Sequence, residues 1–184
     1  MNFTKTKTAV TPRYADTGSA GMDLYADTEK EWIIQPGQIQ KIPTGICVEI
    51  PKNHYGLVCA RSSLHKHGLI YVATAASEDE QGRPVILSLI NSVGIIDSSY
   101  RGEIFLPLYN MSARPVIING NRDAAIRTAL AQLIVQPYKF EKLNEVETLT
   151  PTSRGAGGFG SSDRKPMSMS QLYALEMEEE RNKQ

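Results

Sequence analysis

Short apolar, β-branched runs alternate with turn signals along most of this chain. Trp32-Ile33-Ile34 is closed by Gln35-Pro36-Gly37-Gln38, and Gly45 through Ile50 by Pro51-Lys52-Asn53. Further runs follow at Tyr55–Ala60, Val85–Ile90, Glu103–Tyr109, Val116–Ile118 and Leu133–Val135. Short strands at this spacing, punctuated by Pro and Gly, predict a sandwich or barrel and not βαβ units. Two segments read differently. Asp123 to Leu130 permits a helix but reads equally well as a loop. Ser170 to Lys183 opens on a possible Ser cap and sets Leu172, Leu175 and Met177 among many charges, which predicts a helix. Ser153 to Ser162 is Gly-rich and follows the last strand, so by composition it reads as a flexible linker.

Composition narrows the class. The 184 residues allow one domain with a sizeable core plus tails, and 41% hydrophobic with 22% charged residues is ordinary for such a domain. Twenty basic and twenty acidic residues cancel. Neutrality gives no electrostatic case for direct nucleic-acid binding or for an anionic membrane surface, so an anionic ligand must be held by local positive charge. No stretch has the length of a membrane-spanning helix, and Met1-Asn2-Phe3-Thr4-Lys5 has no apolar run behind it. The expected location is therefore intracellular, cytoplasmic or nuclear. Cys47 and Cys59 lie in apolar surroundings and are expected as free thiols. His54, His65 and His67 have no Cys partners at metal-ligand spacing, so no zinc site is expected.

Four polar clusters interrupt the apolar pattern. In Gly18 through Tyr25, small residues allow close backbone approach and Asp23 brings a carboxylate into a strand; a bulge with a solvated Asp is the plainer reading. In Ala60-Arg61-Ser62-Ser63-Leu64 a guanidinium stands beside two hydroxyls just after a strand, which suits an oxyanion and equally a surface turn. In Asn91 through Gly102, Asp97 directly follows an apolar strand, with Tyr100 three residues on. A carboxylate there can orient a water as general base, or simply make an Asx-turn in a hairpin. In Arg154 through Ser162 a glycine arm carries one cation, one aromatic ring and two hydroxyls, a set able to close over a phosphorylated, ring-containing ligand.

In this order the clusters resemble the dUTPase family. Its five ordered motifs match as Ala20–Leu24, Ala60–Leu64, Gly94–Gly102, Ala131-Gln132-Leu133-Ile134 and Arg154–Ser161, which together span most of the chain. The resemblance implies an all-β, jelly-roll-like β-barrel assembled as a homotrimer with shared active sites, hydrolysing dUTP to dUMP and pyrophosphate. It implies that Asp97 orients the water that attacks the α-phosphorus. Asn91, with the backbone of Ile95 and Ile96, would read the uracil edge, and Tyr100 would pack under the deoxyribose. Arg61, Ser62, Ser63 and Gln132 would hold the phosphates, and Arg154 the γ-phosphate. Phe159 would stack over uracil, with Gly158, Gly160 and Ser161 completing the closed arm. Asp23 would support this network. Mg²⁺ is the implied cofactor, held by the triphosphate and waters and by no protein ligand.

Against the family pattern, Met22 stands where Tyr is frequent, and Ser63 where Gly is frequent. The organisation expected is a β domain over 1–150, a mobile active-site arm over 151–162, and an extension over 163–184 that is either disordered or docked on a neighbouring subunit. Two insertions interrupt the domain. One lies near 71–90, with Leu69–Val72 and Val85–Ile90 as the arms of a hairpin, and the other near 122–130. Both are candidates for binding a protein partner, which makes a nucleotide-dependent interaction module one alternative to a plain enzyme. The other alternative is a dCTP deaminase of the same fold, which would need a Glu acid/base on the strand after the third motif. Pro107 stands about there and cannot act as one.

Overall fold

The computed structural model describes residues 1–28, 32–62, 64, 86–118, 129–158 and 168–181. Among these are strands β1 (Asn2–Lys5), β2 (Met22–Tyr25), β3 (Trp32–Ile34), β4 (Ile39–Glu49), β5 (His54–Ala60), β6 (Leu87–Leu89), β7 (Val93–Ile96), β8 (Glu103–Asn110), β9 (Val116–Ile118) and β10 (Ala129–Pro137), and one helix, α1 (Met169–Arg181). The strands pair antiparallel in three sheets, ordered β1-β4-β8-β6, β2-β10-β5-β7 and β3-β9. The all-β expectation holds. The chain divides into two compact units, Met1–Glu141 with all the strands and Lys142–Gln184 with the helix.

Period-two alternation explains the first unit best in β8. Ile104, Leu106, Leu108 and Asn110 are buried, while Glu103, Phe105, Pro107 and Tyr109 are half-buried on the opposite face. The buried set joins Ile42, Ile46 and Val48 of β4 with Leu87 and Leu89 of β6 in the core, together with Leu24, Val58 and Leu133 of the second sheet. Each such side chain contributes about 1.5–3 kcal/mol when fully buried. Asn110 is a fully buried polar residue whose amide donates to the carbonyls of Ile34 (2.8 Å) and Arg114 (2.7 Å) while its oxygen accepts from the Ser112 N–H (2.9 Å). Every one of its polar atoms is used, which makes its burial tolerable.

β4 is longer than its apolar run predicts, because it starts at Ile39 and passes through Pro43. Its register with β8 breaks between Pro43 and Cys47. Gly45 sits in that bulge at φ 66°, and a side chain there would press within 2.7 Å of the Ala9 methyl. Thr44 donates to the Ile104 carbonyl (2.6 Å), and the Glu103 carboxylate accepts from the Gly45 N–H (2.7 Å). β8 thus grips the bulge from both sides of its own strand.

Elsewhere the structure departs from the sequence pattern in three places. β1 carries no apolar alternation and is exposed throughout, yet it pairs along Ile46 to Glu49. Ala129 and Leu130, expected in a helix or loop, are buried at the start of β10. Ser168, not Ser170, caps α1: its N–H donates to the Gln171 side chain (2.9 Å) and its hydroxyl accepts from the Gln171 N–H (3.4 Å). Leu87–Leu89, the far arm of the expected 71–90 hairpin, pairs with β8, and the near arm lies outside the described residues. In the second unit, residues 142–158 are exposed and free of helix or strand.

Candidate active site

Three of the candidate residues meet where β2, β10 and β5 run side by side. Gln132 of β10 stands opposite Asp23 of β2 on one side and Cys59 of β5 on the other, two residues before Arg61. Arg61 Nε lies 3.1 Å from Asp23 Oδ1, and the carboxylate side chain is 14% exposed against 32% for the guanidinium. The Gln132 amide donates to the Ala60 carbonyl (3.2 Å) and so anchors the start of the Arg61 turn. Gly21 explains the small residue in the first motif, since a Cβ there would lie 2.6 Å from Gln132 Oε1. Ser62 is exposed on the same turn, which closes through a Leu64 N–H to Arg61 carbonyl bond of 3.0 Å. Ser63 lies outside the described residues. The result is a corner of fixed polarity that presents a guanidinium suited to an oxyanion.

The second cluster is carried by β7 and the turn that leads from it into β8, a reversal termed the hairpin although its two strands lie in different sheets. The β7 residues Val93 to Ile96 pair with Cys59 to Gly56. Val93 and Ile95 are exposed on one face, the latter at 55%, while Gly94 and Ile96 turn inward. A side chain on Gly94 would meet the Asn91 amide nitrogen at 3.2 Å, so the glycine leaves room for that amide beside the strand. Asp97 follows directly. It is exposed, and its carboxylate has no partner among the described residues. A turn closes from the Tyr100 N–H to the Asp97 carbonyl (3.0 Å), and the Tyr100 hydroxyl donates to the Glu103 carbonyl (2.9 Å) across the surface of Gly102. Arg101 ties the turn down by donating to the carbonyls of Ser98 (2.8 Å) and Tyr100 (2.9 Å).

Beneath this hairpin opens a pocket of about 350 Å³, lined on the hairpin side by Asn91, Gly94, Ile95, Ile96, Asp97 and Tyr100. The opposite wall is Glu103, Phe105 and Pro107 of β8 with Lys41 of β4, closed by Val58 and Leu89. Sequence reasoning missed this wall. The signal was present in the alternation of β8, whose odd-numbered residues share one face, but nothing in the sequence says which face meets the hairpin. Pro107, the position at which a deaminase would need its Glu, does line the pocket and brings no titratable group. Glu103 brings one, but it already accepts the Gly45 N–H.

Along β5, Cys59 pairs with Val93 and Gly56 with Ile96. Arg61 follows the Ala60 end of that strand, while Asp97 follows Ile96 toward its His54 end. Arg61 and Asp97 themselves are thus offset by about 20 Å of strand.

The fourth cluster belongs to the Lys142–Gln184 unit. Arg154 is exposed, and its Nε donates to the Gly157 carbonyl (3.0 Å) in a turn that Gly155 makes at φ 52°. Gly158 is exposed, and Phe159, Gly160 and Ser161 lie outside the described residues, as do 71–85 and 122–128 of the two insertions. Among the described residues no group of three or more His, Cys, Asp or Glu side chains can hold a metal ion, and no helix is long and apolar enough to cross a membrane.

Comparison with known proteins bears directly on this arrangement. The dUTPase family profile matches residues 7–94 and 85–163. The chain is similar to the deoxyuridine 5'-triphosphate nucleotidohydrolase of Desulfitobacterium hafniense (strain DSM 10664 / DCB-2), 38% identical over 86% of this chain and 90% of the relative. It is similar to the enzyme of the same name from Bordetella pertussis (strain Tohama I / ATCC BAA-589 / NCTC 13251), 37% identical over 83% of this chain and 88% of that one. In fold it is similar to the Staphylococcus bacteriophage 80alpha dUTPase solved with dUPNHPP, at TM-score 0.63 and 19% identity, covering 88% of this chain and 96% of the other.

Proposed function

The chain belongs to the dUTPase family, and we propose that it hydrolyses dUTP to dUMP and pyrophosphate at sites shared between the copies of a homotrimer. That reaction keeps uracil out of DNA and supplies dUMP for dTMP synthesis, and such a substrate places the chain inside the cell. The observation that carries the reading is the exposed Asp97 carboxylate, without a partner among the described residues, at a pocket whose volume lies in the range of small-molecule sites.

Asp97 orients the attacking water and takes its proton as the bond to the α-phosphorus forms. Asn91 and the backbone of Ile95 and Ile96 read the uracil edge, and the Tyr100 ring packs under deoxyribose, where a 2′-hydroxyl would clash. Arg61, Ser62, Ser63 and Gln132 hold phosphate oxygens. Arg61 and Asp97 are offset by about 20 Å of strand within one chain, which favours a site that draws the two from different copies. Assembly resolves this: the Arg61 corner of one copy faces the hairpin of another. The 151–162 arm then closes, Arg154 on the γ-phosphate and Phe159 over uracil, with Gly158, Gly160 and Ser161 enclosing the phosphates and excluding water.

Mg²⁺ would be held by the triphosphate and waters and would supply charge neutralisation there. Asp23 fixes the guanidinium that meets the phosphates. The test is pyrophosphate release from dUTP, dCTP, dTTP, dATP and UTP with and without Mg²⁺. The expected result is release from dUTP alone, dependent on Mg²⁺. No release from dUTP would overturn the reading, and ammonia from dCTP would replace it with the deaminase.

A further inference from the structure

The pocket beneath the hairpin has two unlike ends. Along β8, Glu103 lies at the end shared with Asp97 and Tyr100, while Pro107 lies at the end shared with Leu89 and Asn91. The Ile90 N–H donates to the Pro107 carbonyl (3.0 Å), which locks that second end to the start of the hairpin. From Glu103 to Pro107 is about 13 Å of strand, the length scale of a nucleotide laid along it. Lys41 stands opposite Pro107 in the β4–β8 register. Its ammonium sits over the Phe105 ring, 3.8 Å from the centroid, where the ring's negative face holds a cation. It is the one cation among the described residues that line this pocket; its backbone is level with Pro107, and its ammonium reaches back over Phe105, two residues along the wall from Glu103.

We propose that Lys41 is a specificity residue: its ammonium, held over Phe105, donates a hydrogen bond to the O4 carbonyl of the bound uracil. This rests on the functional reading above, which puts the α-phosphate and sugar at the Asp97–Tyr100 end. A pyrimidine entering that way points C4, the ring atom opposite the glycosidic nitrogen, at the Asn91–Lys41 end. Uracil carries an acceptor there. Cytosine carries an amino group, a donor, and an ammonium has three donors and no acceptor to offer it. The lysine therefore attracts uracil and repels cytosine at the one edge where they differ. The chemistry is a preference for a 4-oxo pyrimidine, and it works in both directions because a buried unmatched donor is costly.

Two nucleotides separate the possibilities. Lys41→Met keeps the stem over Phe105 and removes the charge, so binding of dUMP, measured by calorimetry, weakens about tenfold, as for one charged hydrogen bond. Binding of dCMP holds or strengthens. Lys41→Arg retains a cation and keeps most of the dUMP preference. An equal loss for both nucleotides means that Lys41 only shapes the strand, and no change for either means that its ammonium does not reach the base; either result overturns the proposal. Should the methionine variant fold poorly, Lys41→Gln, whose neutral amide can donate or accept, loses the preference by the same measurement. Failure here is distinct from failure of the functional reading, because the latter is decided by the unaltered protein on dUTP.

Discussion

At the junction of β2, β5 and β10, Asp23, Arg61 and Gln132 already have partners within the chain, whereas the Asp97 carboxylate at the end of the hairpin has none among the described residues and Tyr100 is 40% exposed. The corner is held by three strands and by side chains bonded across them. The hairpin is held by backbone pairing on one edge and by a turn that Arg101 and Tyr100 stitch together. The difference separates two ways of preparing a site. In the proposed reading, the groups assigned to phosphate are ordered before ligand arrives, so their entropy is lost on folding and not on binding. The carboxylate proposed as general base stays exposed to solvent.

Asp97→Asn cuts deepest into that contrast. It removes the base from the hairpin and leaves both the turn and the corner in place. Turnover of dUTP is expected to fall by at least about 10³-fold, within the range for a positioned general base. Binding of a non-hydrolysable dUTP analogue, followed by calorimetry, should change little. A variant with near-normal turnover would show that the water is oriented elsewhere.

Arg61→Ala attacks the other half. It removes a phosphate donor and leaves the Asp23 carboxylate without its cation, so kcat/KM should drop about 10²-fold. The two inactive variants then test each other. If a site takes its corner from one copy and its hairpin from another, mixing Asp97→Asn with Arg61→Ala chains under exchange restores about a quarter of the sites by random assortment. Recovery of no activity from a verified mixed assembly would confine each site to one chain and sink the composite reading.

How far these two regions were legible in the sequence differs for a physical reason. The strands that carry the hairpin and its far wall announce themselves by alternation, as in Glu103 to Asn110. The motifs around Asp23, Arg61 and Gln132 were legible as residues through the family resemblance, and their juxtaposition follows only from the β2-β10-β5 order. β1 was illegible because Asn2 to Lys5 is exposed on both faces and owes its form to pairing with β4. Ala129 and Leu130 misled because both are good helix formers, and cross-strand burial overrode that preference. Lys41 was illegible as a site residue for a similar reason. Its neighbours in sequence say nothing, and only the register with Pro107 brings it to the pocket.

A smaller effect sharpens the corner alone. Gly21→Ala would put a methyl 2.6 Å from Gln132 Oε1 and 3.1 Å from its Cβ. The second contact is near the backbone, so rotating the amide does not relieve it, and overpacking of this kind costs about 1–3 kcal/mol. Thermal unfolding should register that loss, and kcat/KM should fall about tenfold as Gln132 and the Arg61 turn shift together. An unchanged melting temperature would mean that β10 has slack at this point and that the corner is less rigid than its bonding implies.

Arg101→Ala is expected to matter least. Its two bonds to the carbonyls of Ser98 and Tyr100 are exposed, and its approach to Glu49, at 3.5 Å, joins side chains that are half in solvent. Exposed contacts of this strength are worth up to about 1 kcal/mol, so kcat should fall only two- to five-fold, roughly, with KM for dUTP little moved. Glu49 also accepts from Asn2 of β1 (2.7 Å), and Glu49→Gln can keep its oxygen on Arg101 and turn its NH2 to the Asn2 amide oxygen once that amide flips, so it should cost less still. Steady-state kinetics on the two variants decide the matter. A loss near that of Asp97→Asn would mean that Arg101 meets the nucleotide itself. The hairpin would then hold its own phosphate cation, and the division of labour between hairpin and corner would have to be redrawn.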